Sequence, residues 1–135
     1  MAKFIATDFK ITLNGTDLST ALHSVTLDVN SNEVETTTFG NTYKTVVGGI
    51  ISGSAKLDFY QDFGASGVDS VIWPLLNTVG TLVIQPTSAT VSSTNPKYTA
   101  NVLISTYQPV NGAIGDLASF SVTWPTTGTV VRGTV

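Results

Sequence analysis

The feature that most constrains the fold is an alternation of apolar and small polar side chains with a period of two residues. It is clearest in GDLASFSVTWPTTGTVV, residues 115–131. One row there comprises Ala118, Phe120, Val122 and Trp124, and the other comprises Leu117, Ser119, Ser121 and Thr123. Because successive side chains of a strand point to opposite faces, this pattern predicts a half-buried strand. Pro125 and Gly128 predict a break, after which extended structure resumes at 129–131.

The same alternation recurs through the chain, with turn residues between the segments. It predicts strands near 9–13, 24–29, 51–59, 81–85 and 98–104, and Asn14-Gly15 predicts a tight hairpin turn after the first of them. We therefore expect one domain, residues 1–135, that is all-β, a sandwich or barrel of about eight or nine strands. Residues 1–8 are expected to form a short N-terminal arm.

One segment, about residues 67–77, has helical spacing. The apolar residues that follow this spacing are Val68, Val71, Ile72 and Leu75. Ser66 and Asp69 resemble a capping box, and Pro74 predicts that the helix is short or kinked. Trp73 and Leu76 widen the apolar face, so we expect the helix to pack against the flank of a sheet.

Residues 30–50 interrupt the regular pattern and predict an extended hairpin or a long protruding loop. Asn30-Ser31-Asn32 breaks the alternation, and Phe39-Gly40-Asn41 and Gly48-Gly49 punctuate the segment. Two interpretations remain open: an ordinary edge hairpin, or an arm that docks on a neighbouring subunit. Its candidate interface residues are Glu33, Val34, Glu35, Phe39, Tyr43, Val46 and Val47.

Charge is scarce: charged residues make up 11% of the chain, against about 25% in an ordinary soluble domain. A folded chain with so few charges either tolerates a neutral hydroxyl surface or covers much of that surface with copies of itself; we favour the second. The net charge of -3 and six scattered basic residues argue against tight nucleic-acid binding. The start of the chain has no signal-peptide pattern, so we expect synthesis in the cytoplasm.

Residues that could support catalysis or bind a cofactor are few. His23 is the single histidine and there is no cysteine, so a multi-histidine or thiolate metal site is excluded, and a Ser-His-Asp triad would depend on His23 alone. Glu33 and Glu35 lie on one face of an extended strand, which suits a cation or a solvated edge. Tyr98, Tyr107 and Trp124 suit a core or a stacking surface. We expect no enzyme and no cofactor.

Three stretches together resemble the major tail tube protein of long-tailed, non-contractile bacteriophages. They are ITLNGTDLS at 11–19, TTFGNTYKTVVGGIISGSAKLDFYQDF at 37–63, and a third running from VGTLVIQP through TNPKY to GDLASFSVTWPTTGTVVR, which ends at 132. The resemblance implies hexameric rings that stack into a hollow tube, with a long loop reaching the adjacent ring or subunit. It implies tape-measure and tail terminator proteins as partners, phage DNA passing through the lumen, and a place in the virion tail.

A tube of this kind needs a lumen wall to which DNA does not adhere, and small polar or acidic rows suit that requirement. The candidate lumen-facing residues form two rows, Ser54, Lys56 and Asp58 in one, and Ser119, Ser121 and Thr123 in the other. The sequence leaves open which row faces the lumen. A capsid-decorating or other virion β-sandwich protein and a carbohydrate-binding module are the alternative functions.

Overall fold

Two antiparallel β-sheets packed face to face form the architecture of the computed structural model, which describes residues 3–135. The elements in chain order are β1 (Lys10–Leu13), β2 (Thr16–Asp17), β3 (Leu22–Glu35), β4 (Val46–Tyr60), α1 (Val68–Ile72), β5 (Val79–Gln85), β6 (Lys97–Leu103), β7 (Ser119–Pro125) and β8 (Val131–Gly133). Short 3-10 turns occupy Ser19–Ala21 and Trp73–Leu75. The predicted all-β class with one short helix is confirmed.

Each sheet has a simple antiparallel order. The five-stranded sheet runs β2-β1-β5-β6-β8, and the three-stranded sheet runs β3-β4-β7. The predicted turn at Asn14 and Gly15 joins β1 to β2, and both residues have positive φ, 49° and 86°. This backbone is the one that a two-residue hairpin turn requires, and asparagine and glycine tolerate it best.

The core lies between the two sheets and is filled by the apolar rows that the alternation predicts. From the three-stranded sheet it takes Ala55, Leu57, Phe59, Phe120, Val122 and Trp124, and from the five-stranded sheet Ile11, Leu13, Leu82, Ala100 and Val102. The Trp124 indole Nε1 donates a hydrogen bond to the Thr106 carbonyl at 3.0 Å, which satisfies its one polar atom. Ala118, which the pattern places in the same row, is exposed because β7 begins one residue later.

The end of β7 carries the chain from one sheet to the other. The predicted break at Pro125 and Gly128 is present, with Gly128 at φ 84°, and the strand that follows, β8, pairs with β6 in the five-stranded sheet. On the way, the Thr126 N–H donates to the Gly53 carbonyl and the Thr127 N–H donates to the Asn101 carbonyl. These two bonds tie the sheets together beside the end of β7.

The helix is short, as Pro74 predicts, but two details of its expected packing are wrong. Val68 and Ile72 are buried, whereas Trp73 is 59% exposed and Leu76 is also exposed, because the chain turns into a 3-10 geometry at Trp73. The helix begins after Gly67 with no side-chain cap, so Ser66 and Asp69 form no capping box. Instead the Asp69 N–H donates to the Asp62 carbonyl at 3.1 Å.

The segment predicted as a hairpin or loop over 30–50 is a hairpin, with different bounds. β3 continues through Asn30-Ser31-Asn32 to Glu35, and the connection to β4 occupies only 36–45. A register shift between Ser31 and Glu33 absorbs the irregular sequence without ending the strand. The predicted N-terminal arm is described from Lys3 onward; its residues 1–2 lie outside the described residues.

Candidate functional site

The longest run of exposed residues within 3–135 belongs to the part of the β3–β4 hairpin that extends beyond β7. β7 pairs with β4 only from Ser54 to Tyr60, so the rest of the hairpin is a two-stranded ribbon. Every residue from 28 to 52 is exposed. At a rise of about 3.3 Å per residue, the strands alone carry this ribbon roughly 20 Å beyond the sandwich. We call residues 28–52 the distal hairpin.

The distal hairpin is ordered by its own hydrogen bonds. At its tip the Thr36 N–H donates to the Thr45 carbonyl at 2.8 Å, and the Thr45 N–H donates to the Thr37 hydroxyl at 2.9 Å. The Asn41 side chain donates to the Thr38 hydroxyl at 2.9 Å. Gly40 supplies the positive φ, 88°, that the tip turn needs. The hydroxyl run therefore closes the hairpin without any support from the sandwich.

All seven candidate interface residues lie on the distal hairpin, and the structure brings them together. Val34 is paired with Val47 and Glu35 with Val46, while Glu33 faces Gly48. Phe39 and Tyr43 lie in the connection and are almost fully exposed. The exposed apolar side chains of the ribbon also include three that the sequence analysis did not single out as interface candidates, Val29, Ile50 and Ile51.

Strand pairing assigns the exposed residues of the ribbon to two faces. Val29 and Ile51 continue the row that is buried lower on the same strands, and Glu33, Glu35 and Val46 follow them on that face. Val34 and Val47 lie on the opposite face. Both faces of this ribbon are therefore open, and both carry apolar side chains.

The second candidate surface is the outer face of the three-stranded sheet, where the two predicted hydroxyl rows prove to be neighbours. Lys56 is paired with Thr123, Asp58 with Ser121, and Ser54 lies opposite Pro125. The Ser121 hydroxyl donates to the Asp58 carboxylate. The two rows share one face, so they are not alternatives: whichever surface one row lines, the other lines as well.

A third row extends this face, and the sequence analysis did not assign it. Ser24, Thr26 and Asp28 of β3 are paired with Asp58, Lys56 and Ser54, and all three are exposed. The alternation of Val25, Leu27 and Val29 with these residues was the available signal. We call the three rows together the hydroxyl face; its charged members are Asp28, Lys56 and Asp58.

The chemistry around His23 does not assemble a triad. The His23 ring stacks on Tyr60 with ring centroids 4.3 Å apart. His23 and Ser19 line a shallow cavity of about 310 Å³. The Ser19 hydroxyl and the Ser19 N–H both donate to Asp17 Oδ1, at 2.5 and 2.8 Å. These bonds to Ser19 lower the pKa of Asp17. They fix the turn after β2, which is a structural role.

A half-buried polar cluster holds α1 to the sandwich. The Tyr107 hydroxyl donates to Asp69 Oδ1 at 2.7 Å and accepts from the Gln61 side chain at 3.1 Å. Burial and the bond to Asp69 raise the pKa of Tyr107 to about 12. The Tyr107 ring also meets Phe120 edge-on at 5.2 Å. The core interpretation of Tyr107 and Trp124 agrees with these contacts.

Two further features, a metal-binding group of side chains and a membrane-spanning helix, are absent from the described residues. Within residues 3–135, no three His, Cys, Asp or Glu side chains are grouped closely enough to hold a metal ion, and this covers Glu33 and Glu35. None of the helices described there is long and apolar enough to cross a membrane.

Comparison with known proteins gives a likeness in structure and none in sequence. Neither a protein-family model nor a curated protein matches the sequence. Among solved structures, a chain of the "Virion of native gene transfer agent (GTA) particle" is similar with a TM-score of 0.74 and 14% sequence identity. The match covers 93% of this chain and 95% of that chain. At this identity the likeness establishes the fold.

Proposed function

We propose that this chain is a structural virion protein that assembles with copies of itself into stacked hexameric rings, forming the hollow tail tube of a long-tailed, non-contractile phage. The observation that carries the proposal is the distal hairpin, which is ordered yet buries none of its residues. A two-stranded ribbon alone is only marginally stable in water, so a covering partner is expected. A second copy of the chain is the simplest such partner.

The composition of the hairpin supports an assembly role. Its exposed apolar side chains include Phe39, Tyr43, Ile50 and Ile51, within a chain that has few charges to keep it apart from its copies. Exposed apolar side chains concentrated on one segment favour an interaction site. β3 and β7 are also open edges of the three-stranded sheet, and in a closed ring each open edge can meet that of a neighbour.

The hydroxyl face suits the wall of a DNA passage. Serine and threonine dominate it, and Lys56 is the single basic residue in its three rows, beside Asp28 and Asp58. DNA adheres to proteins through clustered lysine and arginine, so this face offers it little to hold. We assign the rows Ser54, Lys56, Asp58 and Ser119, Ser121, Thr123 to the lumen together, with Ser24, Thr26 and Asp28 beside them.

The likeness to a chain of the gene transfer agent virion supports placing this protein in a virion, and the exposed hairpin supports a polymer within it. On this proposal its partners are itself, a tape-measure protein and a tail terminator. Phage DNA passes without specific binding. The protein would be made in the host cytoplasm and act in the tail, without enzymatic activity.

Negative-stain microscopy of the purified protein tests the proposal. We expect tubes with a central channel, and we expect Phe39→Asp to abolish them while circular dichroism stays unchanged, because Phe39 makes no contribution to the core. A small oligomer that binds capsid shells and never forms tubes would favour a decorating protein. A monomer that binds glycans would favour a carbohydrate-binding module, and either result would overturn the tail tube assignment.

A further inference from the structure

A second exposed surface lies at the end of the three-stranded sheet opposite the distal hairpin. The pair Tyr60 and Ser119 closes the ladder between β4 and β7 at that end. Every residue from 62 to 66, which follows β4, is exposed, and so is every residue from 110 to 118, which precedes β7. We call the segments 62–66 and 110–118 together the end surface.

Hydrogen bonds hold the two segments of the end surface side by side. The Gln61 N–H donates to the Ala118 carbonyl at 3.0 Å, and the Gln61 side-chain amide donates to the Pro109 carbonyl at 2.8 Å. The Asn111 side chain donates to the Ser119 carbonyl at 3.0 Å. The end surface therefore resembles the distal hairpin in being ordered without being buried.

The end surface also exposes large apolar side chains, as the distal hairpin does. They are Phe63, Val110, Ile114 and Leu117. Its charged residues are Asp62 and Asp116, and both are exposed. Exposed apolar side chains concentrated on two adjoining segments favour an interaction site.

The tip of the distal hairpin, which is the connection at 36–45, has the complementary chemistry. It exposes the aromatic side chains of Phe39 and Tyr43, and its one charged residue is Lys44. The other charged residues of the distal hairpin precede the tip on β3, and they are Asp28, Glu33 and Glu35. Aromatic side chains are frequent anchors of protein interfaces. The lysine at the tip is opposite in sign to the two carboxylates of the end surface.

The tip and the end surface lie at opposite ends of one strand, so they cannot meet within a single copy. β4 begins at Val46 beside the tip and ends at Tyr60 beside the end surface, and its 15 residues span about 50 Å at about 3.3 Å per residue. A contact between the two surfaces therefore requires two copies. Each copy then keeps one free tip or one free end surface, so the contact repeats instead of closing in a dimer.

We propose that the tip of the distal hairpin of one copy docks on the end surface of the next copy, with Phe39 and Tyr43 packed against its apolar side chains. This inference rests on the proposed function, because it names the surface that receives the distal hairpin. A contact that repeats along the direction of β4 lengthens an assembly. We therefore assign it to the stacking of rings, and not to neighbours within one ring.

Crosslinking tests the contact in the full chain, which has no cysteine of its own. Thr42→Cys places a thiol on the tip and Ala113→Cys places one on the end surface, both at exposed positions. Assembled protein is treated with a short bis-maleimide and separated by denaturing electrophoresis. We expect this double variant to give a ladder of linked chains, because each copy is joined to the next at both ends.

The matched control for crosslinking is Thr42→Cys with Ser93→Cys. Ser93 is exposed in the connection between β5 and β6, outside both surfaces. We expect no ladder from this control or from either single variant, because none of them places thiols on both sides of the contact.

A substitution on the end surface gives an independent test. Ile114→Asp is expected to lower the fraction of protein that pellets in the ultracentrifuge by about tenfold or more, because the contact would bury a charge. Circular dichroism should stay unchanged, since Ile114 is almost fully exposed. Ile5→Asp is the matched control, because Ile5 is also largely exposed and lies outside both surfaces. We expect this control to assemble normally.

The contact and the proposed function fail in different ways. Tubes of the double-cysteine variant without a ladder would show that the end surface is free or covered by a different protein, and would overturn this contact alone. An equal ladder in the Ser93 control, or an equal loss of assembly in Ile5→Asp, would also overturn it. Unaltered chain that stays monomeric would overturn the proposed function together with the contact.

Discussion

The two halves of β4 contrast sharply, although they belong to one continuous strand. We call residues 46–52 the distal half and residues 53–60 the sandwich half. Leu57 and Ile51 point to the same face of β4, yet Leu57 is completely buried and Ile51 is 68% exposed. Leu57 lies where the five-stranded sheet covers that face, and Ile51 lies beyond its edge. The difference shows that one apolar row serves two purposes. The sandwich half builds the core, and the distal half offers the same kind of surface to another molecule.

The two halves are also stabilised differently. The sandwich half is held by apolar burial, including the stacked Phe59 and Phe120 rings 5.4 Å apart. The distal half is held by its backbone ladder and by threonine hydroxyl bonds at the tip. An assembly surface built in this way is already shaped before its partner arrives, which reduces the ordering cost of association.

The largest expected difference in stability is between alanine substitutions at Leu57 and at Ile51, which point to the same face of β4. Leu57→Ala is expected to lower the free energy of unfolding by about 2–5 kcal/mol, because it leaves a cavity in the core. Ile51→Ala is expected to change it by less than about 0.5 kcal/mol, because Ile51 has no covering layer. Urea denaturation of dilute monomer measures both. Equal losses at the two positions would show that the distal half is packed in the monomer, and the comparison would fail.

A smaller effect is expected at the junction between the halves. A Cβ at Gly53 would lie 2.6 Å from the Asp28 carbonyl oxygen, and this backbone atom must shift to accept it. Gly53→Ala is therefore expected to cost about 1–3 kcal/mol in urea denaturation. Gly48→Ala is the matched control on the same strand, since its Cβ would meet only the Ser31 hydroxyl at 3.4 Å. If Gly53→Ala left the free energy of unfolding unchanged, the close approach of the two strands at this junction would be contradicted.

The smallest effect is expected at Tyr107, which belongs to the sandwich and lies far from the distal hairpin in the chain. The tyrosine hydroxyl of an unfolded chain ionises near pH 10.0, whereas the folded protein raises the pKa of Tyr107 to about 12. The free energy of unfolding should thus be independent of this group below pH 10 and fall as the pH rises toward 12. Tyr107→Phe should remove that fall and cost about 1 kcal/mol at neutral pH through the lost bond to Asp69. An unchanged pH profile in Tyr107→Phe would contradict the assignment.

Sequence patterns predicted the sandwich half well because burial there follows local alternation. The rows of β4 and β7, the turn at Asn14 and the break at Pro125 are all read from neighbouring residues. The exposure of Ile51 was not predictable in this way, since it depends on where the facing sheet ends. Trp73 was misjudged because helical spacing continues past the point where Pro74 tightens the chain into a 3-10 turn.

Prediction of the candidate surfaces from the sequence is limited in the same way, to what neighbouring residues determine. The seven hairpin residues were identified from composition and turn signals, which are local. The union of the two hydroxyl rows depends on β4 pairing with β7 across some sixty residues, and alternation alone does not specify that register. The pairing of Lys97 with Gly133 and of Tyr98 with Arg132 depends likewise on the return of the chain to the five-stranded sheet.

Hydrogen exchange tests most directly whether the distal hairpin is covered by another copy. Amides of residues 29–35 and 46–52 are compared between dilute monomer and assembled protein, with amides of residues 55–59 as the internal reference. We predict that exchange in the distal hairpin slows by about tenfold or more on assembly, while the reference stays slow in both states. Assembled tubes in which the distal hairpin exchanges as fast as in the monomer would contradict the account.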